Sequence, residues 1–316
     1  MKNLLTCFTL ALALLGAARA AETAPPAAPL RVVASFSILA DMARQIGGDE
    51  VSVQSLVPAG GDAHVYQPNP QDVRKLARAE LAIVNGLGFE GWLDRLITAA
   101  GYLGPRVVAS QGASLIENEP HEHEDEGEGE PLHEHAHAHG PQDPHAWQDV
   151  ANARHYARRI AEGLCAARPA RCPVWREREQ RYQQELAQLH ADIRAAWQTV
   201  PQARRKVITS HAAFGYYARA YGVQFLAAQG VSTDSEPSAQ NIAALIRQIR
   251  AENIRALFVD PLSSPRLIEQ IARETGVRPA GALYSDTLSP PDGPAPTYIA
   301  MMRHNTQALI RAIQSR

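Results

Sequence analysis

The segment at residues 173–200 constrains the fold of this chain more than any other stretch. It contains no glycine and no proline after Pro173, and Pro201 follows it directly. A proline is tolerated in the first turn of a helix, where its missing N–H is not needed. Apolar side chains recur there at steps of three, four or seven residues, the pattern of one helix face: Trp175, Tyr182, Leu186, Leu189, Ile193, Trp197 and Val200. We therefore predict a single helix of about 27 residues, about 40 Å long.

Short apolar runs alternate with helical stretches on both sides of this segment. The runs are RVVASF (31–36), VSVQSLVP (51–58), LAIVNG (81–86) and RVVAS (106–110) before it, and KVITS (206–210), VQFLA (223–227), ALFVD (256–260) and RPAGAL (278–283) after it. Apolar strands that alternate with helices are typical of parallel sheets covered on both faces. We expect an α/β fold of two lobes, each a parallel sheet flanked by helices, with the long helix as a rigid connector. The alternative is an ordinary surface helix, which the length of the segment disfavours.

The first 20 residues have the features of a secretory signal peptide. Lys2 gives a positive start, residues 4–18 are an apolar run, and residues 18–20 match an A-x-A cleavage pattern. The run is shorter than the roughly 20 residues of a membrane-spanning helix, so an uncleaved anchor is the weaker alternative. Cys7 lies before the cleavage point and is not expected to carry a lipid. We predict a soluble, periplasmic mature chain.

The chain that remains after cleavage is long enough for two modest lobes and too long to pack comfortably around a single hydrophobic core. We divide the sequence into a signal peptide (1–20), a Pro/Ala-rich linker (21–29), an N-terminal α/β lobe (30–172), the connecting helix (173–200) and a C-terminal α/β lobe (201–316).

Two cysteines remain after cleavage, Cys165 and Cys172 in the sequence CAARPARC. An exported compartment permits disulfides, and the pair would close a small loop. A zinc-binding thiol pair is the rival interpretation, but the flanking arginines would repel cations. We predict a disulfide.

A tract at residues 118–139 is rich in histidine and acidic residues. Nine acids lie between positions 117 and 134, and the tract has no lysine or arginine. Its glycines, its prolines and its near lack of apolar groups predict a disordered loop. We interpret its histidines as an accessory, low-affinity metal-binding set, the alternative being a solvated insert without function: His121, His123, His133, His135, His137 and His139.

Four other residues stand at strand ends or in turn-rich loops: His64 in PAGGDAHVYQPNP, His145 in PQDPHAW, His211 in SHAAFGYY and Asp286 in LYSDTLSP. In open parallel sheets, ligands bind beyond the carboxyl ends of the strands. Because each half of the chain contributes two of these residues, the implied site lies in the cleft between the lobes. Singly, a loop histidine is usually solvated and Asp286 would cap a turn. Their joint placement beside the His/acid-rich tract favours a metal site.

The segments GGDAHVYQP, DPHAW, SHAAFGY and YSDTLS, in this order around a long central helix, resemble the metal-binding solute-binding proteins of ABC importers for zinc and manganese. FVDPLSSP and DSEPSAQNI also fit the second lobe of that family, and the likeness covers essentially all of the mature chain. The resemblance implies cleft ligands at His64, His145, His211 and Asp286. The chain resembles the zinc-type members, which often carry a His/acid-rich insertion at this point, and this strengthens the prediction of a disordered loop. For Asp286, direct ligation, ligation through water and support of an imidazole all stay open.

Three imidazoles and one carboxylate form a tetrahedral set suited to zinc, whereas manganese favours more oxygen ligands. Manganese members of the family generally have a carboxylate at the third position, which is His211 here. Copper and nickel also bind imidazole, so the ligand types alone do not prove selectivity. We expect Zn²⁺ as the transported ion.

The resemblance implies a periplasmic high-affinity protein that captures Zn²⁺ and delivers it to an ABC-type permease at the inner membrane. The alternatives are a periplasmic zinc buffer or chaperone, a manganese-type binding protein of the same fold, a zinc hydrolase and an adhesin. Four protein ligands would close the coordination shell that a catalytic zinc leaves open, so we expect no enzyme. We expect a monomer, with a metal-loading chaperone as a further candidate partner. The sequence has no basic patch interleaved with aromatic residues, so we expect no binding to nucleic acid.

Overall fold

The computed structural model describes residues 28–117, 141–262 and 265–315. The predicted signal peptide at residues 1–20 and the His/acid-rich tract at residues 118–139, with its six histidines, lie outside these stretches. No helix within them is both long enough and apolar enough to span a membrane.

The first half of the described chain forms a four-stranded parallel sheet with helices between its strands. Its elements are β1 (Leu30–Phe36), α1 (Ser37–Gly47), β2 (Val51–Val57), α2 (Pro70–Ala77), β3 (Leu81–Val84), α3 (Leu93–Ala100), β4 (Arg106–Val108) and α4 (Val150–Ala167). The strand order is β2-β1-β3-β4, and every pairing is parallel. All four residues of the central strand β3 are buried, as expected for a strand covered on both faces.

The second half repeats this arrangement after a long helix. Its elements are α5 (Cys172–Gln198), β5 (Lys206–His211), α6 (Gly215–Tyr221), β6 (Gln224–Gln229), α7 (Ala239–Glu252), β7 (Leu257–Val259), α8 (Pro265–Thr275), β8 (Pro279–Ala282) and α9 (Tyr298–Gln314). The strand order β6-β5-β7-β8 is again parallel and matches that of the first sheet position for position. The predicted two-lobed α/β fold is therefore confirmed.

Helix α5 connects the lobes and contributes to both. It packs against α1 and α4 of the first lobe and against α9 of the second. The side chains of the predicted apolar face are buried on it: Trp175, Tyr182, Leu186, Leu189, Ile193 and Trp197. Burial of each leucine or isoleucine of this face stabilises the fold by about 1.5–3 kcal/mol. The connector is thus held along its length rather than acting as a free hinge.

One hydrophobic core is continuous across the two lobes. It includes Trp147 and Tyr156 from the first lobe and Tyr216 and Met301 from the second. A smaller cluster lies wholly within the second lobe and includes Ile208. Because the larger core is shared, a wide separation of the lobes would expose apolar surface to water.

The predicted cysteine pair is bonded in the structure. Cys165 lies in the last turn of α4, Cys172 begins α5, and their sulfur atoms form a disulfide. The bond fixes the turn between the last helix of the first lobe and the connecting helix.

Hydrogen bonds also join the lobes away from the connector. The buried carboxylate of Asp41 in α1 accepts a hydrogen bond from the backbone N–H of Tyr298, the first residue of α9, at 2.8 Å. Burial raises the pKa of Asp41 in this position. Ser37 accepts a hydrogen bond from the backbone N–H of Leu288 at 3.0 Å. These contacts anchor the second lobe on the first helix of the chain.

Candidate metal centre

His64, His145, His211 and Asp286 converge in the cleft between the lobes. Each offers one ligand atom, and all four atoms lie within 4.8 Å of one another. His64 follows β2, His211 ends β5, Asp286 follows β8, and His145 lies just before α4. Within the described stretches this is the one group of three or more His, Cys, Asp or Glu side chains that could hold a metal ion.

Several distances among the three imidazole nitrogens and the two oxygens of Asp286 are close to the edge of a small tetrahedron. Nε2 of His145 lies 3.3 Å from Nε2 of His64 and 3.4 Å from Oδ1 of Asp286. Oδ2 of Asp286 lies 3.5 Å from Nε2 of His64 and 2.9 Å from Nε2 of His211. Four atoms at about 2.0 Å from a tetrahedral zinc ion lie about 3.3 Å apart. The distances of 2.9–3.5 Å are near this edge length, and every ligand atom of the set lies within 4.8 Å of the others, so the residues can surround an ion of that size.

The site is closed to water on most sides. The side chains of His145, His211 and Asp286 are at most 1% exposed, and that of His64 is 4% exposed. Oδ1 of Asp286 is buried and accepts no hydrogen bond from the residues that the structure describes. A buried carboxylate oxygen without a donor is unfavourable. A cation at the centre of the four residues would satisfy it.

Electrostatics within the site set the protonation of the metal-free protein. Burial alone would lower the pKa of His211, but the Asp286 carboxylate outweighs it and raises that pKa to about 9. Burial alone would raise the pKa of Asp286, but the imidazoles of His145 and His211 hold it well below its usual range. Burial lowers the pKa of His64, with partial compensation from Asp286. At neutral pH a proton on His211 therefore pairs with an ionised Asp286, and a bound metal must displace that proton.

The loop that carries His64 is attached to the second lobe. Gly60 has a φ of +77° and donates its N–H to Oγ1 of Thr287 at 2.7 Å. Asp62 accepts a hydrogen bond from the backbone N–H of His64 at 2.9 Å and another from Oγ1 of Thr233 at 2.7 Å. The ring of Phe89 packs edge-on against His64, with the ring centres 4.7 Å apart. These contacts orient His64 before any ion arrives.

The loop that carries His145 is held by its neighbour Asp143. Oδ1 of Asp143 accepts the backbone N–H of His145 at 2.9 Å and lies 2.7 Å from Nδ1 of its ring. A carboxylate on Nδ1 of a ligating histidine fixes the ring orientation and raises the basicity of the other nitrogen. Nε2 is thereby left to face the centre.

A buried polar network in the first lobe supports the same loop from below. Asn85 donates its side-chain N–H to the carbonyl oxygen of Pro144 at 3.0 Å, and its Oδ1 accepts the hydroxyl of Tyr156 at 2.7 Å. The carboxylate of Glu90 accepts the backbone N–H of Asn85 at 2.6 Å and the hydroxyl of Ser35 at 2.6 Å. Burial raises the pKa of Glu90. The network fixes the peptide that directly precedes His145.

His211 has a second carboxylate behind it. Oδ2 of Asp260, at the end of β7, lies 3.6 Å from Nδ1 of His211. The same oxygen accepts a hydrogen bond from the hydroxyl of Ser285, the residue before Asp286. Burial raises the pKa of Asp260 to about 6. Asp260 thus connects the strand ends that carry His211 and Asp286.

The structure adds supporting residues that the sequence analysis did not identify. Asp143 had a signal, since it lies two residues before His145. Asp260 ends a predicted strand, where ligand-side residues are expected. Asn85 and Glu90 had no distinguishing motif, because their role depends on contacts with distant segments.

The histidines of the accessory tract lie outside the described residues, whereas the residues on either side of the tract are described. Glu117 and Gln142 form an isolated antiparallel bridge. The backbone N–H of Asp143 donates to the carbonyl oxygen of Ile116 at 3.0 Å. The chain therefore leaves and re-enters the fold directly beside the loop of His145.

The sequence matches a family model over residues 32–312, and the family is described as zinc-uptake complex component A, periplasmic. Among curated proteins, the chain is 27% identical over 315 residues to the manganese ABC transporter substrate-binding lipoprotein PsaA of Streptococcus anginosus, covering 98% of each chain. It is similar in structure to the periplasmic zinc binding protein TroA of Treponema pallidum, with a TM-score of 0.80 and 28% identity over 90% of this chain and 99% of that one. A Mn-bound periplasmic metal binding protein from Candidatus Liberibacter asiaticus matches with a TM-score of 0.75 and 27% identity over 89% of this chain and 98% of that one.

Proposed function

The chain belongs to the zinc-uptake complex component A family of periplasmic metal-binding proteins of ABC importers, and we propose that it captures Zn²⁺ and delivers it to a membrane permease. It is a binding component of a transporter and not an enzyme. The observation that carries the proposal is the convergence of four ligand atoms within 4.8 Å in a buried cleft. In the proposed role His64, His145, His211 and Asp286 bind the ion directly.

The choice of zinc is supported by the chemistry of this set. Three imidazoles and one carboxylate suit zinc, whereas manganese prefers more oxygen ligands and higher coordination. Asp143 stands behind His145 and Asp260 behind His211, as carboxylates commonly stand behind the ligating histidines of zinc sites. Four protein ligands leave no open position for a catalytic water, in keeping with capture and release.

Manganese is the second candidate for the transported ion. It is favoured by a relative named as a manganese transporter protein and by a Mn-bound structural neighbour. Affinity alone does not separate the two, because nearly any such site binds Zn²⁺ more tightly than Mn²⁺. Transport must therefore be measured.

The deciding experiment is uptake of labelled Zn²⁺ and labelled Mn²⁺ by cells that lack the gene. Complementation with the full chain should restore zinc uptake, and complementation with an Asp286→Ala chain should not. If cells that lack the gene lose manganese uptake and keep zinc uptake, the protein is instead a manganese-type binding protein. If loss of the gene changes neither zinc nor manganese uptake, the hypothesis of a periplasmic zinc buffer or chaperone is favoured. Capture of soluble partners on the zinc-loaded protein would then test that hypothesis.

We also propose that residues 1–20 are cleaved on export and that the mature chain is a soluble periplasmic monomer. The relatives include proteins named lipoproteins, but Cys7 lies within the apolar run before the predicted cleavage point. Mass spectrometry of the protein from a periplasmic extract should give an unmodified chain that begins at Ala21. A lipid-modified N-terminus in the membrane fraction would contradict this.

The tract at residues 118–139 is proposed to be an accessory zinc reservoir. The proposal is supported by the flanking residues Glu117 and Gln142, which form a bridge next to the loop of His145, so ions held by the tract would be released close to the cleft. The carboxylates and imidazoles of the tract suit zinc, and its affinity is proposed to be lower than that of the preorganised cleft.

A further inference from the structure

The peptide that precedes Asp286 is held by two side chains from the opposite lobe. Nε1 of Trp147 donates to the carbonyl oxygen of Ser285 at 2.9 Å, and Nε2 of Gln148 donates to the same oxygen at 2.7 Å. All three residues are fully buried. Trp147 and Gln148 come directly after Ala146 and His145 in the chain, so the contact joins the segments that carry one candidate ligand from each lobe.

Ser285 is also tied to a third ligand. Its hydroxyl donates to Oδ2 of Asp260, the carboxylate oxygen that lies 3.6 Å from Nδ1 of His211. The second lobe holds Trp147 in return, because the hydroxyl of Tyr298 donates to the carbonyl oxygen of Trp147 at 2.6 Å. The segments of His145, His211 and Asp286 therefore meet at one serine.

The amide of Gln148 is difficult to explain by stability alone. Its Oε1 is buried and accepts no hydrogen bond from the described residues, whereas its Nε2 donates to the carbonyl oxygen of Ser285. An apolar side chain of similar length would fill the space without leaving a buried oxygen unpaired. The amide is therefore expected to be present for the contact that it makes.

We propose that Trp147 and Gln148 are positioning residues that clamp the carbonyl of Ser285 and thereby hold Asp286 in register with His145 across the cleft. The inference rests on the proposed metal-binding function and deepens it. With the peptide before Asp286 fixed, the carboxylate needs little ordering when an ion binds. A displacement of the lobes must break two buried hydrogen bonds to one acceptor before Asp286 can leave the ion. The clamp, defined as Trp147, Gln148 and Ser285, thus sets the rate of metal release.

The test compares metal release with the stability of the metal-free fold. The variants are Gln148→Met, Trp147→Phe and the double variant, each of which removes a donor and keeps a side chain of similar shape. The matched control is Trp197→Phe, because Nε1 of Trp197 makes an equivalent buried hydrogen bond to the hydroxyl of Tyr217 at 2.9 Å, away from the site. Zinc release is followed by stopped-flow chase with an excess of chelator, and Tm is measured without metal.

We expect Gln148→Met to release zinc about tenfold faster, the effect of about one buried hydrogen bond. Its metal-free Tm should not fall, since the substitution also removes the unpaired oxygen. Trp147→Phe should accelerate release similarly, and the double variant should show a combined effect that differs from the product of the two, because both donors share one acceptor. The control should lower Tm and leave release unchanged.

Release rates within twofold of wild type for both single variants would overturn the clamp, as would an equal acceleration in Trp197→Phe. If Gln148→Met does not fold, the comparison of Trp147→Phe with Trp197→Phe decides. Titration of the wild-type protein precedes these measurements. A wild-type protein without a tight zinc site would overturn the proposed function and the clamp together, whereas failure in the variants alone would overturn only the clamp.

Discussion

Nε2 of His211 donates a hydrogen bond to Oδ2 of Asp286 at 2.9 Å, and both side chains are almost completely buried. The two residues come from the ends of different strands, β5 and β8. In the metal-free protein this pair carries opposite charges, because the pKa of His211 is raised to about 9 and that of Asp286 is lowered. A proton thus occupies one coordination position until a metal ion replaces it.

The proton on His211 must leave when a metal ion binds. At pH 7.5, zinc binding should release about one proton, and apparent affinity should fall by up to about tenfold for each pH unit below 9. Proton release is measured by calorimetry in two buffers with different ionisation enthalpies. Binding without proton release at pH 7.5 would show that His211 is neutral in the metal-free protein.

The same pair predicts how the stability of the metal-free protein depends on pH. The folded pKa of His211, about 9, lies above its ordinary value of 6.5. The stabilisation that protonated His211 gives to the fold is therefore complete below pH 6.5 and is lost as the pH rises through 9, by about 3 kcal/mol in total. The free energy of unfolding in urea should decline over this window in the wild type and decline less in His211→Gln. Parallel pH profiles for the two proteins would contradict the assignment.

Asp143→Ala should weaken zinc binding by about 10- to 100-fold, the usual cost of removing a carboxylate behind a ligating histidine. The loss arises because Oδ1 of Asp143 holds both the backbone N–H and the ring of His145. Chelator competition measures the effect. The control is Asp192→Ala, since Asp192 is an exposed carboxylate on α5 that accepts a hydrogen bond from the side chain of Gln188. Equal affinities for the Asp143→Ala and wild-type proteins would show that His145 needs no support.

Asn85→Ala should lower zinc affinity about tenfold, because the carbonyl of Pro144 loses its buried donor and the loop of His145 is loosened. The matched control is Asn152→Ala, since Asn152 is also buried and makes two hydrogen bonds to the backbone of Ser114. Both variants should unfold more easily, by about 1–3 kcal/mol. Only the Asn85 variant should lose affinity. If the two variants bind zinc with similar affinity, Asn85 contributes to the stability of the fold and not to the metal site.

The two-lobed fold can be predicted from the sequence because its central strands are apolar along their whole length. LAIV of β3 is buried on both faces, and the face of α5 from Trp175 to Trp197 repeats at helical spacing. Strand ends are less certain: β5 includes His211, one residue beyond the predicted run, and β7 stops at Val259, one residue short of it. At these positions the backbone follows pairing with neighbouring strands, which local composition does not specify.

The four candidate ligands were also identifiable, because each follows a strand or flanks the insertion within a recognisable motif. Among the supporting residues, Asp143 and Asp260 lie at positions that a sequence can point to, whereas Asn85, Glu90 and Ser285 do not. Ser285 acts through its backbone carbonyl, which no side-chain pattern reveals. Glu90 and Asn85 are charged or polar residues whose burial depends on segments up to 71 positions away, as in the contact from Tyr156 to Asn85. Such contacts exist only after the sheets and α4 have packed.

The central claim is that one tight metal site lies in the cleft and that the His/acid-rich tract is accessory. The most direct test is zinc stoichiometry and affinity, measured by chelator competition on the mature chain and on a form that lacks residues 118–139. The shortened form should keep one tightly bound zinc ion and lose the weaker ones. If the tight site disappears with the tract, the tract itself is the receptor, and the assignment of His64, His145, His211 and Asp286 as ligands is wrong.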